Sequence, residues 1–207
     1  MLKSFALKKR FNMNAEETLS RTLVQEINAE IGGALIQLLY SSAPDQGSPI
    51  QFDKTAPSGV SFFEHKQTLA DKFADVESSM LGQAGRGSIN TIVAGREVAA
   101  IIGTLPGFTK LSDGSQLGAH IYGTWNGMTI VRVSEQAILD SKRAVAIYKG
   151  PTPFEAPVVY SPYMPLATTG TLPISPNPLG SMQAAAVWAG VDSLVPNFSG
   201  SLEMIIT

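Results

Sequence analysis

Two histidines, a glycine-rich hexapeptide, three carboxylates and one glycosylation-like triplet are the residues whose types could carry chemistry in this chain. His65 and His120 are the candidates for metal ligation or proton transfer. Ligation needs convergent partners at ligand spacing, as in a helix carrying two histidines four residues apart. Neither histidine stands in such a pattern, so both are expected to be structural. Gly82-Gln83-Ala84-Gly85-Arg86-Gly87 looks like a phosphate-cradling loop, but it lacks the Gly-Lys-Ser/Thr ending. It also follows a helix and precedes a strand, the reverse of the order that sets phosphate against a helix N-terminus. A helix stop and a turn are expected there instead. Asp71, Asp75 and Glu77 could do acid–base work, yet their spacing suits the solvated face of a helix. Asn197-Phe198-Ser199 matches an acceptor sequon by chance, because no secretion signal precedes it. There is no cysteine, which removes disulfides, zinc-thiolate sites and thiol nucleophiles and fits a reducing compartment. No GxSxG elbow is present. The expectation is no catalytic residue, no metal site and no cofactor, and therefore no enzyme.

The elements that would have to position such residues begin with a long helix over 14–40. Asn14 suits its N-cap and Glu17 stands three residues on. Leu19, Leu23, Ile27, Ile31, Leu35 and Leu38 recur at helical spacing. Leu23, Ile27 and Ile31 are expected to face the body of the subunit, with Glu26 and Glu30 facing away. The helix would run about 40 Å, with Gly32 and Gly33 permitting a bend or a close neighbour. Residues 41–59 read as a loop. A second helix is expected over 63–82, with Leu69, Phe73, Val76 and Met80 as its apolar stripe and Gly85 and Gly87 ending it. Strands are expected at 88–94, 144–148 and 156–160, a short helix at 97–104 and a loop at 106–118. A hairpin is expected over 119–133, turning at Asn126-Gly127.

Composition points away from a lone soluble enzyme. Charged residues are 15% of 207, against a usual share of about 25%. From Gly150 to Thr207 the only charges are Glu155, Asp192 and Glu203. So long a charge-poor, β-rich stretch is hard to cover within one small subunit and points to contact between subunits. Tyr160, Tyr163, Trp188 and Phe198 are the expected contact residues, since aromatic side chains bury large area with few rotamers to freeze. Association should then strengthen as salt rises. Net charge is −2 with no basic patch, which disfavours direct grip on nucleic acid. The first 13 residues are basic without the apolar run of a signal peptide. No stretch reaches the apolar length of a membrane span.

Three stretches resemble one family. Tyr148-Lys149-Gly150-Pro151-Thr152-Pro153-Phe154-Glu155-Ala156, followed by Tyr160-Ser161-Pro162-Tyr163-Met164-Pro165-Leu166, is similar to a segment of the major capsid proteins of contractile-tailed, T-even-type bacteriophages, which adopt the HK97 fold. That segment runs YKG, a small-residue loop, an aromatic-acid-Ala step and Y-x-PY-x-PL. Residues 14–31 resemble the family's spine helix. Arg86-Gly87-Ser88-Ile89-Asn90-Thr91-Ile92-Val93 resembles its strand after an RRG-x-x-N turn, with Gly85 where the first Arg would stand.

The resemblance implies an α+β, HK97-like capsid fold with a long spine helix, a peripheral domain and an axial mixed α/β domain. It implies a peripheral portion over 1–86, an axial domain over 87–150 and a β-rich return segment over 151–207. It implies a subunit that assembles with itself into hexamers and pentamers and with other capsid proteins. The shell would enclose double-stranded DNA without sequence specificity and without contact to a membrane. The chain would be made in a host bacterial cytoplasm and reside in the virion capsid. Family members carry a longer N-terminus, with an arm and an extended loop that clasp neighbours; the resemblance therefore implies a fragment or a shortened relative. Where the family has a basic-aromatic segment, this chain reads Ala186-Val187-Trp188-Ala189-Gly190-Val191-Asp192. An encapsulin-like compartment shell and a pentamer-forming vertex paralogue share the same fold and are the alternatives.

Overall fold

A computed structural model describes residues 15–112, 117–169, 172–173 and 181–206. The chain forms two compact units. One is Met1–Ile31 with Tyr160–Gly190, and the other is Gly32–Val159 with Val191–Thr207.

Helix α1 spans Ala15–Ser42, as the sequence led us to expect; its proposed cap, Asn14, lies outside the described residues. The expected apolar stripe is not the buried one. Leu19 is 58% exposed, Leu23, Ile27 and Ile31 are half-buried, and the buried positions are Gly33, Ile36 and Leu39. The reason is geometric. A step of four residues overshoots one turn by about 40°, so the stripe winds onto a different face before reaching the sheet. Glu26 and Glu30 are exposed, as expected. Gly33 has the close neighbour: a Cβ there would stand 3.0 Å from Ile138 Cδ1, whereas one at Gly32 would meet nothing.

Helix α2, Phe62–Ala84, forms where the period predicts it, and Leu69, Phe73, Val76 and Met80 are all buried. Ser61 caps it: its Oγ accepts from Phe63 N, and its own N donates to Glu64 Oε2. Gly85 ends it in the left-handed conformation, φ 70°.

The larger unit is built on a seven-stranded sheet in the order β1-β11-β6-β2-β5-β4-β3. Its strands are β1 Ile50–Asp53, β2 Thr91–Gly95, β3 Phe108–Lys110, β4 Ala119–Trp125, β5 Met128–Val133, β6 Arg143–Ile147 and β11 Ser199–Ile205. β1 pairs with β11, and β2 with β5, in parallel; the other neighbours are antiparallel. β4 and β5 are the expected hairpin, and both Asn126 (φ 48°) and Gly127 (φ 81°) take the positive φ of a type I′ turn. β1 and β3 fall inside the expected loops 41–59 and 106–118. Each is too short to show a period, and pairing with β11 and β4 makes it a strand.

β2 is apolar along its length because it is covered on both faces. Ile92 and Ala94 pack with α2 and with α3, Arg96–Ile102, while Val93 packs with Ile36, Leu39 and Val145 on the other side. Helix α2 comes so close to β11 that a Cβ at Gly200 would lie 2.5 Å from Val76 Cγ1.

The remaining strands are β7 Val158–Thr168, β8 Leu172–Pro173, β9 Ser181–Met182 and β10 Ala185–Ser193. Among the described residues β7 pairs only with β10, and β8 only with β9. Hydrogen bonds from Thr169 N to Ala184 O (2.8 Å) and from Leu194 N to Pro157 O (2.9 Å) close the β7–β10 ribbon at its two ends, so its strands run antiparallel. In the smaller unit Gln183 Nε2 donates to Ser20 Oγ at 2.8 Å, tying this part of the chain to the start of α1.

Candidate assembly surface

A half-buried strand alternates buried and exposed residues. The β7–β10 ribbon does not. Tyr160 through Pro165 are all exposed, and so are Trp188 through Asp192. Both faces therefore lie open, in a two-stranded unit of a kind that is marginal by itself in water. Tyr163 is 86% exposed and Trp188 64%; Tyr160 and Met164 are less open. The sequence supplies little charge to solvate this surface. Of the three charges after Gly150, Glu155 pairs with Arg86 at 2.9 Å and Glu203 with Arg143 at 3.2 Å.

Phe198 does not belong to this surface. It is 3% exposed, in a short 3₁₀ turn at Pro196–Phe198, with the Tyr148 ring edge-on at 5.2 Å and the Arg86 guanidinium over its face at 5.8 Å. That is a core residue of the larger unit. Aromatic type alone could not separate it from Tyr163. The sequence reading also passed over Phe154, which is 76% exposed. Its loop is fastened by Gly150 N to Glu155 O (2.7 Å) and by the Arg86–Glu155 pair. Flanking Pro151 and Pro153 were the available signal of a stiff loop.

The residues considered for chemistry are scattered. His65 lies on α2, stacked on Phe52 with ring centroids 5.4 Å apart, and its Nε2 contacts Asp53 O at 2.7 Å. His120 lies on β4, buried, opposite Arg132, and its ring nitrogens have no partner among the described residues. Asp75 pairs with Lys72 at 3.3 Å, Glu77 accepts from Ile89 N at 3.3 Å, and Asp71 is exposed. The glycine-rich hexapeptide is a helix stop and turn. Gly87 takes φ 94°, and a Cβ there would meet the Tyr148 ring at 2.5 Å. Among the described residues no group of three His, Cys, Asp or Glu side chains could hold a metal, and no helix is long and apolar enough to cross a membrane.

One polar cluster ties α1 to the sheet. The Arg143 guanidinium lies over the Tyr40 ring at 5.1 Å and bonds Glu203. Burial raises the Tyr40 hydroxyl's pKa, against the opposing pull of Arg143. Burial works against the charge of Arg143, but its hydrogen bond to Glu203 and the nearby anionic groups outweigh burial and raise its pKa.

The fold has known counterparts. The structure titled Mycobacterium phage Che8 is similar over 95% of this chain and 66% of its own, at 14% identity and TM-score 0.58. The holo-SrpI encapsulin complex from Synechococcus elongatus PCC 7942 is similar over 96% of this chain and 69% of its own, at 14% identity and TM-score 0.53. A virus-like particle from Pyrococcus furiosus is similar over 84% and 63%, at 9% identity and TM-score 0.51. The chain thus spans about two thirds of the length of these structures, and the likeness gives the HK97-like fold that the resemblance implied. No curated protein matches the chain. Residues 5–186 match the family model described as major capsid protein Gp23. With nearly the whole chain inside that match, the protein belongs to the Gp23 major capsid protein family.

Proposed function

We propose that this chain is a structural subunit of a phage capsid, assembling with copies of itself, and with other capsid proteins, into a closed shell around double-stranded DNA. The observation that carries the reading is the β7–β10 ribbon: a neutral, aromatic surface open on both faces, which a neighbour would cover. In this reading residues 1–86 contribute to the periphery of a capsomer, 87–150 surround its axis and 151–207 return toward the periphery. Tyr160, Tyr163 and Trp188 are contact residues. The role is mechanical, with no turnover, no membrane contact and no sequence-specific hold on DNA, in keeping with a net charge of −2. The chain works in the virion and is made in the host cytoplasm. Membership of a capsid family favours this reading over a shell that encloses enzymes.

The test is negative-stain electron microscopy of concentrated protein, alone and with DNA present. Rings or closed particles are expected. Featureless monomers at every concentration, or a robust catalytic activity lost in His120→Ala, would overturn the reading.

A further inference from the structure

A cavity of about 300 Å³ opens between α1 and the sheet in the larger unit, lined by Leu35, Ile36, Leu39, Val93, Ile147 and Val158 among others. It lies on the face of the sheet with the smaller core, where Ile36, Leu39, Val93 and Val145 are buried while Ile147 and Val158 are only partly so. An apolar side chain placed there would complete that core, since a hollow forfeits the dispersion contacts that packed neighbours make. The space is ample for an aromatic ring, because a cavity of about 150 Å³ with such a lining accepts benzene. Among the described residues Lys149 is the one charged member of the lining, with no acid beside it there. A buried polar group without a partner costs free energy, so the occupant that fits is large and purely apolar.

The same unit presents such a side chain on a stiff support. Phe154 is 76% exposed, the most open phenylalanine among the described residues. Phe62 and Phe63 are about half exposed, and the Lys66 ammonium already lies over both rings, at 5.4 and 5.1 Å. The Phe154 loop is closed by Gly150 N donating to Glu155 O and by Glu155 N donating to Thr152 O at 3.1 Å, and the Glu155 carboxylate pairs with Arg86. Asn90 holds its start: Oδ1 accepts from Lys149 N (3.1 Å) and Nδ2 donates to Lys149 O (2.7 Å). Pro151 and Pro153 fix φ just before the phenylalanine. A side chain held in this way loses little freedom on docking. Tyr163 and Trp188 are also open, but each carries a polar atom that needs a partner when buried. An apolar lining suits the ring that has none.

We infer that Phe154 of one copy of the chain inserts into this cavity of a neighbouring copy. The ring does not occupy the cavity of its own chain, as its exposure shows. Val158 in the lining is also the first residue of β7, so a neighbour seated here meets the start of the strand that carries the exposed ribbon residues. Knob and hole are different features and every copy offers both, so the contact can repeat from copy to copy. The inference rests on the shell reading for the identity of the partner.

The experiment removes the knob and fills the hole in separate variants of the full chain, read by sedimentation velocity. Phe154→Ser removes the knob. Thr91→Phe fills the hole from within, because Thr91 lines the cavity on the same side of β2 as Val93. Each alone should weaken self-association by roughly tenfold or more. Phe154 is exposed, so Phe154→Ser should melt like the parent. Mixed, the two variants should form one-to-one pairs that neither forms alone, since one keeps the knob and the other keeps the hole. Association of Phe154→Ser like that of the parent overturns the inference, whether or not Thr91→Phe folds. A mixture of the two folded variants that associates no better than each alone overturns it as well. If particles still form in those cases, the shell reading stands without this contact. Pairing on mixing, with a parent that stops at small oligomers, keeps this contact and removes the shell. A parent that stays monomeric at every concentration removes both.

Discussion

The carboxylate of Asp45 holds Ser201 by both of its donors. Asp45 Oδ1 and Oδ2 accept from Ser201 N at 2.9 and 3.0 Å, and Oδ1 accepts from Ser201 Oγ at 3.0 Å. Ser201 has no exposed surface and sits mid-strand in β11. The segment after α1 is thereby locked onto the sheet. Asp45→Ala strands two buried donors and should cost about 2–4 kcal/mol, whereas Ser201→Ala keeps the N–H bond and should cost about 1 kcal/mol. Urea titration gives both numbers, and equal small losses would show that the lock is not holding.

The two long helices should respond oppositely to substitution. Phe73 on α2 is buried against the Trp125 ring at 6.1 Å, so Phe73→Ala should cost about 3–5 kcal/mol. Leu19 on α1 is mostly exposed, so Leu19→Ser should stay within about 0.5 kcal/mol for the isolated chain. Thermal melting of both variants checks the order; a collapse in Leu19→Ser would mean that the first turns of α1 are core.

That contrast shows what the sequence made legible. The stripe on α2 was readable because its four residues follow i, i+4, i+7, i+11 and stay on one face. The stripe on α1 used i+4 steps from Leu19 to Leu35 and drifted away from the core. Asn126-Gly127 announced its hairpin because only certain residues accept positive φ at both positions. β1 and β3 left no signal, since a strand of three or four residues is made by its partner. Among the expected contact residues, Tyr163 and Trp188 lie open and Phe198 is buried. Residue type sets how much area an aromatic offers, while the packing of Tyr148 and Arg86 decides whether any remains.

Stability should depend on alkaline pH through Tyr40. Burial raises its pKa above the ordinary value of about 10. The unfolded chain then loses this proton before the folded one does. The contribution is complete below about pH 10 and falls away as pH rises through the folded value. Tyr40→Phe should flatten this part of the stability–pH curve while leaving the neutral region nearly unchanged. An identical alkaline decline in parent and variant would place its origin elsewhere.

The central claim is that the neutral aromatic ribbon is covered by copies of the same chain. Sedimentation velocity of the parent and of Tyr163→Ser/Trp188→Ser, over a concentration series and from low to high salt, tests it most directly. Both side chains are exposed, so the double variant should melt like the parent. The parent should associate with concentration and more strongly as salt rises, because burial of apolar surface survives screening. The double variant should associate at least about tenfold more weakly, since large exposed aromatics are the usual anchors of an interface. A parent that sediments as a sharp monomer at every concentration and salt would contradict the account, as would a double variant that associates like the parent.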